Sequence, residues 1–278
     1  MESSTSHVRG AGQRPTVILL HSSASSGRQW DVLVAMLQSR YQLHAVDLHG
    51  HGTTPSWNGA HRMRLQDELA RVQPLLRTGA PVHLVGHSYG GALALSLAAS
   101  RPDRIASVAV YEPVMFRLLF DYSPRDRTMS DVLNIARSIR NWHALGHADH
   151  AARRFVDFWS GDGTWDRLAP VPQQLVAARM GSVIGHFDAL FGDSLTRAEL
   201  HQLAVPTLCM TGARTQPAAR RIGELLRFAL PQAVHEAVPG AGHMGPITHA
   251  AAVARRIGAF LDAQVAAASR TEDLLEAA

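Results

Sequence analysis

Six short runs of aliphatic and β-branched residues recur along the chain. They span residues 16–20, 41–46, 82–85, 105–111, 205–210 and 233–238. Residues 16–20 form a continuous β-branched and aliphatic run, which is typical of a strand covered on both faces, and the other runs are similar. This pattern predicts six strands of a mostly parallel sheet.

Helical patterns lie between several of these strands. Apolar residues repeat every three to four positions in segments 30–37, 65–76 and 253–260, which predicts amphipathic helices that each bury one face. Strands that alternate with helices are typical of an α/β fold, in which the helices flank a parallel sheet.

The strand pattern stops between residues 115 and 203, where the chain is rich in Trp and Phe but has no strand-like run. We expect a helical cap here, inserted after the strand that ends near Tyr111 and flanked by core segments 1–114 and 204–278. An insertion at this point would cover the carboxyl ends of the strands, where open α/β sheets bind ligands.

Length and composition narrow the class of protein. The chain has 278 residues, which suits one α/β domain with an inserted subdomain. No apolar run approaches the roughly 18 residues that cross a bilayer. The first residues lack the pattern of a secretory signal, so we expect a cytoplasmic protein. The single Cys209 lies in a predicted buried strand, and we assign it no chemistry.

All 27 basic residues are arginine, and they are mixed with 23 acidic residues along the chain. No basic run of the kind that follows a phosphate backbone is present. We therefore expect a small-molecule substrate and neither a nucleic-acid nor a membrane partner.

The strongest local motif is G-H-S-Y-G-G at residues 86–91. It follows one predicted strand and precedes an apolar helical run. A serine on such a tight turn has a strained backbone, so Gly86 and Gly90 are needed two positions to either side. The motif makes Ser88 the candidate nucleophile, and the Tyr89 N–H at the start of the helix a candidate oxyanion donor.

A serine hydroxyl needs a base to take its proton. Of the 16 histidines, only His243 follows the final strand within a glycine-rich loop, so it is the candidate base. Four other histidines lie beside turns and are expected to bond the backbone: His21, His49, His51 and His87.

These motifs resemble those of the α/β-hydrolase family over about residues 15–261. L-L-H-S-S at 19–23 is similar to the family's strand and oxyanion loop, D-L-H-G-H-G at 47–52 to its D-x-x-G-x-G turn, and G-A-G-H at 240–243 to its histidine loop. The resemblance implies a cofactor-independent and metal-free site. It also implies that the second oxyanion N–H belongs to Ser23, although Ser22 stands where the family usually has glycine.

The acid that orients the base is the least regular feature. In the family an Asp usually stands where this chain has Thr215, and threonine cannot carry the negative charge. Glu112 is the best replacement. It ends the strand 105–111, Pro113 biases it toward an extended backbone, and some haloalkane dehalogenases resemble this arrangement. The alternatives are a dyad without an acid, or one of Asp188, Asp193 and Glu236.

A possible metal site involves His143, His147 and His150, whose spacing would place three imidazoles on one helix face. The motif lacks the Glu of an H-E-x-x-H site, and Gly146 weakens the helix. We therefore expect a solvated helix and no metal.

The residues together predict a capped serine hydrolase that cleaves a small carboxylic ester through an acyl-enzyme. Three alternatives stay open: a non-catalytic binding protein or receptor on the same fold, a carbon–carbon bond hydrolase, and a cofactor-free oxygenase.

Overall fold

The six predicted strands form one sheet in the computed structural model, which describes residues 14–77, 79–122, 125 and 127–276. The strands are β1 (Thr16–Leu20), β2 (Gln42–Val46), β3 (Val82–His87), β4 (Ile105–Tyr111), β5 (Thr207–Gly212) and β6 (Val234–Val238). Their order in the sheet is β2-β1-β3-β4-β5-β6, and every neighbouring pair is parallel. The predicted α/β fold with a parallel sheet is confirmed.

The four inner strands are mostly apolar and buried because both faces of the sheet are covered there. The edge strands β2 and β6 carry polar residues and are partly exposed. In β1, Ile18 and Leu20 belong to one buried cluster, whereas Val17 and Leu19 belong to a second cluster. Successive side chains of a strand point to opposite faces. A strand between two layers of helices therefore needs apolar residues at odd and at even positions alike.

Helices lie between the strands and after the last strand. They are α1 (Asp31–Leu37), α2 (Leu65–Val72), α3 (Tyr89–Ser100), α4 (Phe116–Tyr122), α5 (Arg127–Ala144), α6 (Ala148–Ser160), α7 (Thr164–Arg167), α8 (Pro170–Ala178), α9 (Met180–Phe191), α10 (Arg197–His201), α11 (Pro217–Ala229), α12 (Gly245–Thr248) and α13 (Ala250–Glu276). Among the residues described, none of these helices has both the length and the apolar character needed to cross a bilayer.

Helices α4–α10, called the insert below, connect β4 to β5. The ring of Phe116 packs near those of Trp159, Phe187 and Phe191, with centroid distances of 6.4, 5.8 and 5.3 Å. These aromatic residues pack in or against the same buried cluster as one face of the sheet. The insert therefore shares its apolar core with the sheet.

The segment that carries His143, His147 and His150 is not one helix, so the prediction of a single solvated helix is wrong. Helix α5 ends and α6 begins on either side of Gly146, whose φ is +81°, a value that glycine adopts at little cost. The His147 and His150 rings instead contact the ring of Trp142. Within the described ranges, no three His, Cys, Asp or Glu side chains are grouped as a metal site.

Candidate active site

Ser88 lies where β3 passes into α3. Its φ is +54°, a strained value for a residue with a side chain. The turn is tight enough to require its glycines: a Cβ on Gly86 would lie 2.3 Å from the Gly90 carbonyl oxygen, and one on Gly90 would lie 2.3 Å from that of Leu20. The turn holds the side chain of Ser88 at the carboxyl end of the sheet, where the residue is 6% exposed.

His243 lies in the loop between β6 and α12, and its Nε2 is 3.1 Å from Ser88 Oγ. Two contacts fix this loop. The Tyr111 hydroxyl donates to the Gly242 carbonyl at 2.7 Å, and His87 Nε2–H donates to the carbonyl of His243 itself at 2.8 Å. The imidazole is buried, and its position is fixed because these two hydrogen bonds hold the backbone that carries it.

Glu112 follows β4 directly and contacts the other side of the imidazole. Its Oε2 is 2.7 Å from His243 Nδ1, and its Oε1 accepts the Gly212 N–H at 2.7 Å. The expected extended backbone is wrong, because the φ of Glu112 is +43°. The restriction that Pro113 imposes acts mainly against the right-handed helical region, and the Glu112 N–H still extends the sheet by donating to Met210.

Thr215 is also part of this arrangement. Its hydroxyl donates to Glu112 Oε2 at 2.7 Å, and both side chains are buried. Charge-assisted hydrogen bonds of this kind are among the stronger ones in proteins. The residue that stands where the family usually has its acid therefore anchors a carboxylate that comes from another strand.

The other acids considered from the sequence have different partners. Asp188 pairs with Arg62 and Arg140, Asp193 accepts the Leu195 N–H, and Glu236 pairs with Arg256. Among the described residues, Glu112 is the carboxylate in contact with His243.

Ser23 and Tyr89 flank Ser88. Ser23 lines the same cavity as Ser88, and Tyr89 is the first residue of α3, where helix N–H groups have no partner within the helix. Neither the Ser23 nor the Tyr89 backbone N–H donates to another described residue. These two amides are therefore the candidates for binding an acceptor from outside the chain.

Four histidines near the site are buried and uncharged. Burial, together with neighbouring histidines, lowers the pKa of His21, His51 and His186 to about 3 and that of His87 well below its usual value. His21 accepts the Leu48 N–H and His51 accepts the Ala24 N–H, both at 3.0 Å. These contacts agree with the backbone roles expected for His21, His51 and His87.

A cavity of about 630 Å³ opens beside Ser88 and His243. A volume of this size suits a small-molecule ligand. Its apolar wall comes largely from the insert, where the ring of Trp159 stacks on that of His243 at 4.7 Å. Polar side chains line another part of it: Arg214, Gln216, Thr248 and His249.

Sequence reasoning missed two residues near the site, Gln29 and His186. Gln29 Oε1 accepts both the N–H and the hydroxyl of Ser22, at 3.2 and 2.9 Å. His186 Nδ1 lies 2.7 Å from Ser23 Oγ. Neither residue belongs to a motif, and a lone polar residue on a helix gives no local signal, so only the tertiary contacts reveal them.

Comparison with known proteins agrees with this fold. The model of the alpha/beta hydrolase family matches residues 17–256. A pimeloyl-[acyl-carrier protein] methyl ester esterase of Chromobacterium violaceum is 25% identical over 265 residues, which cover 92% of this chain and 98% of that protein.

Two solved structures are similar in fold. Carboxylesterase CesB (YbfK) of Bacillus subtilis has a TM-score of 0.69 and 23% identity, over 91% of this chain and 85% of that one. A thermophilic esterase of Thermogutta terrifontis has a TM-score of 0.71 and 19% identity, over 91% of both chains. With its parallel sheet and the match of the family model along most of its length, the chain belongs to the alpha/beta hydrolase family.

Proposed function

We propose that this chain is a serine hydrolase that cleaves carboxylic esters, with Ser88 as nucleophile, His243 as general base and Glu112 as the acid that orients the base. The observation that carries the proposal is one buried line of contacts, with 3.1 Å from Ser88 Oγ to His243 Nε2 and 2.7 Å from His243 Nδ1 to Glu112 Oε2. The full-length relative named as a methyl ester esterase also supports it.

The geometry suits acyl transfer. A His243 ring proton on Nδ1 donates to Glu112, which leaves the Nε2 lone pair facing the Ser88 hydroxyl. As Ser88 Oγ attacks the ester carbon, its proton moves to Nε2, and the carboxylate stabilises the imidazolium that forms. The imidazolium then protonates the departing alkoxide, leaving an acyl group on Ser88.

The N–H groups of Ser23 and Tyr89 are the proposed donors to the oxyanion. They have no partner among the described residues, and the start of α3 adds the positive end of a helix dipole. In the second half-reaction His243 takes a proton from water, and the resulting hydroxide attacks the acyl carbon. Ser88 leaves as the alcohol after His243 returns the proton.

In this proposal residues 115–203 act as a cap over a core made of segments 1–114 and 204–278. The cavity wall that the insert supplies includes Phe155, Val156, Leu168 and Val176. An apolar wall of this kind favours the hydrocarbon part of a small ester. The substrate is therefore proposed to be a small, largely apolar carboxylic ester.

The proposal includes a cytoplasmic location and neither a nucleic-acid nor a membrane partner. The buried and free Cys209 is compatible with a reducing compartment. Of the alternatives, the non-catalytic receptor was suggested by the missing acid at Thr215. The contact between Glu112 and His243 supplies a carboxylate in its place, so the receptor is not favoured. This contact does not separate an esterase from a carbon–carbon hydrolase or an oxygenase, and ester turnover without oxygen uptake in the test below does so.

The test is hydrolysis of p-nitrophenyl esters of increasing acyl length, with oxygen consumption followed in parallel. We expect turnover of short and medium esters, loss of that turnover in Ser88→Ala and no oxygen uptake. The matched control is Ser100→Ala, at the far end of the same helix α3, which should keep full activity. Absence of ester turnover by the folded wild-type protein would contradict the proposal.

A further inference from the structure

The short loop 22–24 carries the proposed oxyanion donor Ser23, and side chains from elsewhere hold each of its residues. Gln29 binds Ser22, and His51 Nε2 accepts the Ala24 N–H at 3.0 Å. Two further contacts, to the Ser23 hydroxyl and to the Ala24 carbonyl, come from helix α9 of the insert and the residue that precedes it.

Ala24 needs such support because its φ is +59°, which costs free energy in a residue with a Cβ. Arg179, directly before α9, donates from NH1 to the Ala24 carbonyl at 2.8 Å. Burial lowers the pKa of this guanidinium, and the charge of Asp47 offsets part of that shift. The strained residue is thus held at its N–H by the core and at its carbonyl by the insert.

His186, inside α9, contacts the side chains of both proposed oxyanion residues. Its Nδ1 lies 2.7 Å from Ser23 Oγ, and its ring stacks on that of Tyr89, with centroids 3.8 Å apart and an interplanar angle of 8°. The His51 ring stacks on it as well, at 4.9 Å. His186 is only 1% exposed, so the ring is fixed between its neighbours.

The proton on His186 can be assigned from its surroundings. The imidazole is neutral, because burial lowers its pKa to about 3. Glu68 Oε1 lies 3.5 Å from Nε2 without forming a hydrogen bond, and the partial negative charge of this oxygen favours the ring proton on that side. Nδ1 is then an acceptor, and the Ser23 hydroxyl donates to it.

We propose that Arg179 and His186 are positioning residues for the oxyanion hole, so that helix α9 is a structural part of the catalytic site as well as a wall of the cavity. This inference rests on the proposed function. Neither residue touches the reacting atoms; they act by fixing the two amides of Ser23 and Tyr89 before substrate arrives. Preorganised donors of this kind stabilise the transition state more than the ground state.

Two substitutions at one position separate the two contacts of His186. His186→Phe keeps a ring against Tyr89 but removes the acceptor for Ser23, whereas His186→Asn keeps an acceptor near the place of Nδ1 and removes the ring. With the p-nitrophenyl ester that the wild type cleaves fastest, we expect kcat of His186→Phe to fall about tenfold to a hundredfold, with KM within about threefold. His186→Asn should retain more of kcat.

A second readout excludes a general structural effect. A trifluoromethyl ketone reacts with the active-site serine to give a tetrahedral adduct whose former ketone oxygen is an oxyanion. The affinity of His186→Phe for this ketone should therefore fall in parallel with kcat. Affinity for the intact ester, measured in the Ser88→Ala background, should stay unchanged. Unchanged kcat in a folded His186→Phe, or an equal loss of both affinities, would overturn the inference.

Arg179→Met tests the same inference if the His186 variants fail to fold. It should lower kcat in the same way, while Arg137→Met, at an exposed position of α5 in the same insert, should have no effect. Full activity of Arg179→Met would overturn the inference. The wild type and Ser88→Ala test the proposed function separately, so a failure of that proposal is distinguishable from a failure of this one.

Discussion

Glu112 contacts His243 although the family usually has its acid at the position of Thr215. The carboxylate comes from the end of β4, and the threonine after β5 donates to it at 2.7 Å. Because the carboxyl ends of neighbouring parallel strands meet at one edge of the sheet, an acid from either strand can reach the same imidazole.

Replacement of Glu112 by Gln should reduce kcat by about ten-thousandfold, because an amide cannot hold the required tautomer or stabilise the imidazolium. Steady-state hydrolysis of a p-nitrophenyl ester measures this. Glu236→Gln is the matched control, since Glu236 pairs with Arg256 and should be dispensable. Near-normal activity of Glu112→Gln would exclude Glu112 as the orienting acid.

Thr215→Val, which keeps the shape of the side chain but removes its hydroxyl, should lower kcat about tenfold to a hundredfold. This corresponds to the roughly 1.5–3 kcal/mol of a hydrogen bond to a charged group. Thr215→Ser should restore most of the rate. A folded Thr215→Val with wild-type kcat would show that the hydroxyl does not position Glu112.

At the residue scale, the sequence allowed prediction of contacts that have a local signature. Ser88 and His243 lie in glycine-rich turns after strands, and Glu112 directly follows the strand β4. The positive φ of Glu112 was not predictable, because the rule for residues before proline describes sterics alone. His186 was missed because its partners are set by the packing of α9.

At the scale of elements, the turn between β3 and α3 depends on close backbone approach. A Cβ on Gly90 would lie 2.3 to 2.6 Å from carbonyl atoms of Leu20 and His21. Backbone atoms of a central strand cannot move aside as a flexible side chain can, so this turn requires glycine.

Gly90→Ala should therefore reduce the free energy of unfolding by about 3 kcal/mol or more, as measured by denaturant titration. Gly181→Ala is the matched control. In α9 the new Cβ would approach no closer than 3.5 Å to His143 Nε2, and alanine should stabilise the helix by about 0.5–1 kcal/mol. Equal stability of both variants would contradict this description of the turn.

Element types were predictable where the pattern was long and uniform. The sequence predicts all six strands. The inner strands are mostly apolar because they are buried on both faces, whereas the edge strands β2 and β6 include polar residues and give a weaker signal. The break between α5 and α6 was not recognised, since a single Gly146 inside a helical pattern is compatible with either a helix or a turn.

At the scale of the whole molecule, buried neutral histidines couple folding to pH. The four concerned are His21, His51, His87 and His186. Their folded-state pKa values lie below 6.5, so under acidic conditions the unfolded chain binds protons that the folded chain cannot. Two buried carboxyls act with the opposite sign, because burial raises the pKa of Glu68 to about 7 and also that of Asp193.

The four histidines outweigh the two carboxyls in number. Below the pKa of histidine in the unfolded chain, each buried neutral histidine lowers the free energy of unfolding by about 1.4 kcal/mol per pH unit. The free energy of unfolding should therefore fall between pH 7.5 and 5.5. Urea titrations at constant ionic strength would show this as a lower midpoint at pH 5.5 with an unchanged slope. A midpoint that is constant or higher at pH 5.5 would indicate that these histidines are not neutral in the fold.

The most direct test of the whole account is covalent labelling by a fluorophosphonate, followed by intact mass measurement and peptide mapping. An activated serine displaces fluoride and keeps the phosphonyl group. The account predicts one adduct per chain, located on Ser88, and none in Ser88→Ala. An adduct on a different residue, or ester hydrolysis that persists in Ser88→Ala, would contradict it.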